Sequence, residues 1–137
     1  MDNVYPQAPQ PMGSGVRPAP SFIDSVKETL TLRYAQFTGR ARRSEYWYFV
    51  LANLVASFAA NLLDRIWGVP VIACILSLAL LIPGLAVCVR RLHDLGKSGW
   101  WVLLAFIPLV GAIILIVWFC QDGDRQPNEY GPSPKYN

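Results

Sequence analysis

Long uncharged stretches alternate with short charged ones along this chain. Asp, Glu, Lys and Arg are absent from residues 46–63, 66–89 and 98–121. Each stretch is about as long as a helix needs to cross roughly 30 Å of hydrocarbon, whereas buried helices of soluble proteins are usually shorter and amphipathic. The pattern predicts an all-α integral membrane bundle with three transmembrane helices, at about residues 46–63, 71–89 and 100–120.

Charges and helix-breaking residues mark where the predicted spans end or bend. Asp64 and Arg65 close the first span, and Pro70 lies in the short turn after it. Pro83 and Pro108 fall inside the second and third spans. Because a proline removes a backbone hydrogen bond from a helix, we expect both of these spans to be kinked.

An amphipathic segment precedes the first span. Ser21 and Asp24 fit the start of a helix, with a hydroxyl cap and an acid in the first turn. Apolar side chains then recur every four residues on one face, at Phe22, Val26, Leu30 and Tyr34. The segment predicts an amphipathic interfacial helix over residues 21–36, which lies flat in the headgroup region or packs on the end of the bundle.

Polar tails flank these elements. In residues 1–20 five prolines are interleaved with Gln, Ala, Gly and Ser, and such a segment cannot bury enough apolar area to offset the entropy of ordering. We therefore expect a disordered Pro-rich tail there. Residues 122–137 form a polar C-terminal tail, and residues 37–121 contain the three-span membrane domain.

The net charge of +3 becomes informative when the basic residues are mapped onto the spans. With three spans, the N-terminal segment and the second loop lie on one side of the membrane. Together they hold nine of the twelve Lys and Arg residues. The positive-inside rule then predicts a cytoplasmic N-terminus and an outward C-terminus.

Basic residues gather at the predicted cytoplasmic rim, where they admit two interpretations. They either orient the spans and do no more, or they bind phosphate or an anionic lipid headgroup, which attracts such residues by about 1 kcal/mol each. The candidates are Arg40, Arg42, Arg43, Arg90, Arg91 and Lys97.

His93 and Asp94 lie at the same rim. Adjacent residues on a helix point about 100° apart, so these two cannot easily form a catalytic pair with each other. Asp94 could instead pair with Arg90 one turn earlier, or with Arg42 or Arg43 across the bundle. We favour a structural salt-bridge cluster that ties the second span to the first.

A polar face runs along the first span through Asn53, Ser57 and Asn61, beside three alanines. Small and polar residues let helices approach closely and hydrogen-bond in lipid, so we interpret this face as helix packing, within the chain or between copies. A transport pathway is the alternative. It requires more helices or an oligomer, and usually an intramembrane charge.

The sequence contains no pattern typical of catalysis or metal binding. Nucleophilic catalysis needs a positioned nucleophile, base and orienting group, which no motif here supplies. After Asp122 and Asp124, Gln126 and Pro127 occupy the positions where a calcium loop requires an oxygen ligand and a glycine. We therefore expect no catalytic residues, no metal site and no cofactor.

Several motifs together carry a family resemblance. Residues 37–47 read Phe-Thr-Gly-Arg-Ala-Arg-Arg-Ser-Glu-Tyr-Trp, residues 90–94 read Arg-Arg-Leu-His-Asp, and residues 98–100 read Ser-Gly-Trp. Over roughly residues 30–134, the chain resembles the small bacterial inner-membrane proteins grouped as domain-of-unknown-function family 805 (DUF805). The resemblance implies a multi-pass protein of the bacterial inner (cytoplasmic, or plasma) membrane. It implies no reaction, ligand or cofactor.

These expectations favour a non-enzymatic membrane protein that acts by binding. The partners we expect are a second copy, another membrane protein or anionic membrane lipid, and no nucleic acid. A small oligomeric transporter or channel built around the polar face is the second hypothesis. A membrane enzyme that acts on a phosphorylated lipid is the third.

Overall fold

The computed structural model describes residues 16–135, so most of the predicted Pro-rich tail, residues 1–15, lies outside the described residues. Within residues 16–135 the chain is helical and contains no β-sheet, which confirms the all-α fold class. The elements are α1 (Phe22–Leu30), α2 (Arg43–Trp67), α3 (Val71–Asp94), a 3₁₀ helix (Gly99–Phe106) and α4 (Val110–Cys120).

The two longest helices, α2 and α3, form an antiparallel pair joined by a tight turn. Gly68 ends α2 in the left-handed conformation, at φ 80°, and its N–H donates to the Asp64 carbonyl at 2.7 Å. The Asp64 carboxylate accepts hydrogen bonds from the backbone N–H groups of Ile72 and Ala73, both at 2.9 Å. The same residue therefore closes α2 and caps the first turn of α3.

Both long helices are apolar enough and long enough to cross a membrane, and their apolar faces are uncovered. Only 11% of the most apolar stretch of α2, and 17% of that of α3, is buried inside the protein. Large side chains such as Leu54, Phe58 and Leu78 are more than half exposed. A soluble protein rarely exposes a contiguous apolar surface of this kind, whereas lipid covers it in a membrane protein.

Helix α3 continues through Pro83, and a side chain from outside the helix bonds the carbonyl that the proline leaves without a donor. Proline has no N–H, so the carbonyl of Ala79, four residues earlier, loses its partner within the helix. The Tyr34 hydroxyl donates to that carbonyl at 2.5 Å. Tyr34 lies in the turn after α1, so this bond ties the N-terminal segment to the middle of α3.

Helix α1 begins as predicted and ends earlier. The Ser21 hydroxyl accepts from the Asp24 N–H at 3.1 Å, but the helix stops at Leu30 instead of continuing to residue 36. Its most buried residues are Ser25 and Thr29, whereas Leu30 is 37% exposed. The expected apolar face is therefore turned partly outward, because small polar side chains allow the closest approach to α2 and α3.

The predicted third span is two short helices that fold back on each other. Trp101 in the 3₁₀ helix contacts Trp118 in α4, with ring centroids 5.7 Å apart. Leu104 packs in the same apolar cluster as Leu115. We call residues 99–120 the helical hairpin. Its arms of 8 and 11 residues each rise about 16 Å, roughly half the thickness of the hydrocarbon layer.

A strained turn forms the tip of this hairpin. Leu109 has φ 64° and ψ −62°, and the Val110 N–H donates to the Pro108 carbonyl at 2.7 Å, which is the geometry of a γ-turn. At Gly111, a Cβ atom would lie 1.7 Å from the Leu104 carbonyl oxygen. Pro108 therefore marks a reversal of the chain and not the expected kink, and only glycine fits where the arms meet.

The two tails lie at the same end of the bundle, so the predicted outward C-terminus, on the side opposite the N-terminus, is not confirmed. The Arg17 N–H donates to the Lys135 carbonyl at 2.7 Å, and the Asp124 N–H donates to the Asp94 carbonyl at 2.8 Å. Because the helical hairpin returns to the end where it began, the C-terminal tail packs beside the N-terminal segment. A single third span of the expected length is therefore not confirmed.

We expect Tyr34→Phe to lower the free energy of unfolding by about 1 kcal/mol, because the Ala79 carbonyl loses its partner. In the Pro83→Ala background the helix regains the N–H that bonds this carbonyl, so the same substitution should then cost much less. Unfolding in mild detergent, monitored by tryptophan fluorescence, measures both losses. An equal loss in the two backgrounds would show that the hydroxyl does not act through the proline.

Candidate functional site

Charged side chains are buried where α2 and α3 meet the two tails. Arg90 and Arg91 are 0% exposed, Arg40 is 1%, Asp94 is 3% and Glu45 is 5% exposed. We call these five residues the ion-pair cluster. Burying a charge costs several kcal/mol unless it is paired and hydrogen-bonded, so the geometry of each member matters.

Arg40 uses all of its hydrogen-bond donors. Its Nε donates to Asp94 Oδ1 at 2.9 Å, and its Nη2 donates to the Asp94 carbonyl at 3.3 Å and the Asp124 carbonyl at 2.5 Å. Its Nη1 donates to the carbonyls of Gln126 and Gly131, at 3.0 and 3.1 Å. A guanidinium has five N–H donors, so Arg40 is saturated by α3 and the C-terminal tail together.

Arg91 connects the same carboxylate to the end of the helical hairpin. Its Nη1 donates to Asp94 Oδ2 at 2.7 Å. Its Nη2 donates to the carbonyls of Phe119, at 3.2 Å, and of Gln121. The last carbonyls of a helix lack partners within it, so Arg91 serves as a charged cap for α4.

Glu45 holds the other half of the ion-pair cluster. It lies in the first turn of α2, where the helix dipole favours an acid. Its Oε2 accepts from Arg90 Nη1, and its Oε1 accepts from Arg33 Nη1 at 2.8 Å. Arg90 Nε also donates to the Gln36 carbonyl at 3.1 Å. Glu45 thus joins α2, α3 and the segment after α1.

His93 is held by backbone on one side and by an aromatic ring on the other. Its Nδ1 lies 3.0 Å from the Gly39 carbonyl, and its ring stacks on Tyr130 with centroids 3.9 Å apart. Partial desolvation and the adjacent Glu129 carboxylate raise the pKa of the Tyr130 phenol above its ordinary value. The Tyr130 ring is therefore uncharged near neutral pH. The stacked pair of His93 and Tyr130 resembles a packing contact more than a catalytic one.

The remaining predicted rim residues are less buried than the ion-pair cluster. Arg42 donates to the carbonyls of Arg17 and Pro18, at 3.1 and 3.4 Å. Arg43 donates to the Cys120 carbonyl at 3.1 Å, and its side chain is 43% exposed. The Lys97 ammonium lies 4.6 Å above the Trp118 ring. Thus Arg40, Arg90 and Arg91 are internal, Arg42 and Lys97 are half-buried, and Arg43 is exposed.

The pairing inside the cluster differs from our expectation. Asp94 pairs with Arg40 and Arg91, and not with Arg90, Arg42 or Arg43. Arg90 pairs instead with Glu45, a residue that the sequence reasoning did not select. The sequence feature that could have identified Glu45 is its position as the first acid after a run of basic and small residues at the start of a span. The backbone carbonyls of the tail carried no such signal.

A groove of about 620 Å³ lies between α2, α3 and the helical hairpin. Most of its lining is apolar, and its polar side chains include Asn53, Ser57 and Ser77. Ser57 Oγ donates to Asn53 Oδ1 at 3.1 Å. Asn61, the third member of the predicted polar face, is exposed and does not line the groove.

Within residues 16–135, no three His, Cys, Asp or Glu side chains are close enough together to hold a metal ion. The chemistry that this arrangement offers is therefore ion pairing at one end and apolar binding with a few hydrogen bonds in the groove.

Comparisons with known proteins place the chain among membrane proteins. The family described as "Protein of unknown function (DUF805)" matches residues 34–132. The inner membrane protein YhaI of Escherichia coli (strain K12) is 43% identical over 105 residues, which cover 75% of this chain and 89% of YhaI. The inner membrane protein YhaH of the same strain is 44% identical over 108 residues, covering 74% and 89%. No solved structure matches.

We expect Glu45→Gln to lower the free energy of unfolding by about 3–5 kcal/mol, because Arg90 would stay buried without its carboxylate. Glu28→Gln is the matched control. The Glu28 carboxylate lies 3.3 Å from Arg33 and its side chain is 40% exposed, so this loss should stay below about 1 kcal/mol. Thermal unfolding in mild detergent compares the two variants. Similar losses would contradict the assignment of Glu45 as the key carboxylate.

Proposed function

We propose that this chain, which belongs to the DUF805 family, is a membrane-embedded binding protein without catalytic activity of its own. The observation that carries the proposal is the groove of about 620 Å³, which is largely apolar and contains a few hydrogen-bonding side chains. Binding sites for small molecules share this size and this composition. The occupant enters from the bilayer, because the walls of the groove are the membrane-facing helices α2 and α3.

The topology we propose has two crossings of the bacterial inner membrane and a helical hairpin that enters and leaves on the cytoplasmic side. Helix α1 then lies at the cytoplasmic interface, and both tails are cytoplasmic. In this arrangement Arg65 is the only one of the twelve Lys and Arg residues on the outer side. Charge asymmetry of this size supports a cytoplasmic location for both tails.

Anionic lipids are the second class of partner that we propose, at the surface and not inside the ion-pair cluster. The donors of Arg40 are taken by one carboxylate and four backbone carbonyls, so it has none left for a phosphate. Arg43 is the more exposed of the rim arginines, and Lys97 lies beside Trp118 at the mouth of the helical hairpin. Headgroup attraction at these positions amounts to about 1 kcal/mol each.

Reporter fusions test the topology. Green fluorescent protein fused after Asn137 should fluoresce, because it folds in the cytoplasm, and alkaline phosphatase at the same point should be inactive. The control places phosphatase in the turn after Gly68, where we expect activity. An active phosphatase after Asn137 would restore the three-span arrangement with an outward C-terminus.

Filling the groove tests the binding function. Ala105 lines the groove from the 3₁₀ helix, so Ala105→Phe should expel a co-purified non-protein molecule that native mass spectrometry detects on the wild-type chain. Ala59→Phe makes the same change on the exposed outer face of α2 and should leave that molecule bound.

The result depends on a mass difference between matched variants. If the Ala105→Phe protein carries the same bound mass as the wild type, the groove is not the binding site. If the wild type carries no bound mass and runs as a dimer, the proposal fails in favour of self-association.

A further inference from the structure

We infer that the groove binds an uncharged, membrane-dissolved carbonyl compound of the quinone type, and that the Asn53 amide donates a hydrogen bond to the carbonyl of this compound. This inference rests on the proposed binding function and specifies the ligand. It comes from three properties of the groove: the hydrogen-bond donor that it leaves available, the depth at which that donor lies, and the aromatic rings beside it.

The available donor is the Asn53 side-chain NH₂ group. The amide oxygen of Asn53 already accepts a hydrogen bond from Ser57 Oγ, at 3.1 Å. Among residues 16–135, no acceptor bonds the amide nitrogen, and Asn53 lines the groove. An amide N–H without an acceptor costs free energy in hydrocarbon, so a ligand that supplies an acceptor is favoured over a pure hydrocarbon.

The depth of Asn53 excludes several classes of ligand. Asn53 lies seven residues beyond Tyr46, where the predicted first span begins. This separation is about 10 Å along the helix. The ester carbonyls of phospholipids lie at the edge of a hydrocarbon layer about 30 Å thick, so they do not reach this depth. Among residues 16–135, no Asp, Glu, Lys or Arg lines the groove, so an ionised ligand would find no counter-charge from these residues.

Aromatic side chains favour a flat ring at this depth. Phe49 precedes Asn53 by one helical turn on the same face of α2, and Phe119 also lines the groove. Small residues make the room: Gly84, Ala105 and Ala112 face the same space. A ring that carries a carbonyl can therefore stack against phenylalanine while its oxygen accepts from Asn53.

A pair of probes tests this inference. Decylubiquinone has ring carbonyls and a ten-carbon tail, and decylbenzene has the same tail on a ring without oxygen. We expect the wild-type chain in mild detergent to bind decylubiquinone about five- to tenfold more tightly, the factor expected of one hydrogen bond. Titration monitored by native mass spectrometry measures both apparent affinities.

Asn53→Leu removes the donor at similar volume and should abolish the preference for decylubiquinone. Asn61→Leu is the matched control, because Asn61 lies on the same helix outside the groove, and it should retain the preference. The comparison of the two probes on the wild-type chain does not depend on whether Asn53→Leu folds.

The outcomes separate this inference from the proposed function. Equal binding of both probes to the wild type, or a preference that survives Asn53→Leu, overturns the quinone inference. If Ala105→Phe still abolishes such binding, the groove function stands. If neither probe binds, both proposals fall.

Discussion

The packing of the C-terminal tail depends on the saturation of one buried guanidinium. Arg40 is almost completely enclosed, and its five N–H groups end on the Asp94 carboxylate and on backbone carbonyls of α3 and the C-terminal tail. A buried arginine that loses one partner keeps its desolvation cost. The tail therefore packs as a unit or leaves Arg40 exposed, and this makes the end of the bundle cooperative.

Polar interactions that specify which segments pack together matter more in a bilayer than in water. Lipid tails are as apolar as leucine, so burial of leucine does not tell one helix arrangement from another. Within residues 16–135 most of the large apolar side chains are exposed, and the largest fully buried side chains are three arginines, followed by Leu92, Val87, Thr29 and Pro83. Ion pairs, helix caps and the Tyr34 bond to Ala79 consequently determine which segments meet, while α2 and α3 supply the apolar surface that lipid covers.

The sequence was sufficient to predict α2 and α3 and insufficient to predict the helical hairpin. An uncharged stretch of suitable length between charged ends predicts a long membrane helix, and both were found. The stretch from residue 99 to 120 has the same composition, but apolarity does not distinguish a crossing from a hairpin. The strained Leu109 and the close approach at Gly111 determine that the stretch forms a hairpin, and these are properties of tertiary contact.

The sequence was likewise only partly informative about the ion-pair cluster. Four of the predicted charged residues belong to the cluster, whereas the partner of each depends on helix rotation that no linear pattern specifies.

The helical hairpin also bears on how the chain is made. A third crossing would require the cell to move the acidic and basic tail through the membrane, at a cost for each charge. In the topology that we propose, the hairpin returns to its starting side, and within residues 16–135 the polar segment to be translocated is the tight turn at Gly68, with Arg65 and the paired Asp64 beside it. Under the proposed topology, insertion moves one closed loop across the bilayer, and the remainder of the chain can then fold against the cytoplasmic face as it leaves the ribosome.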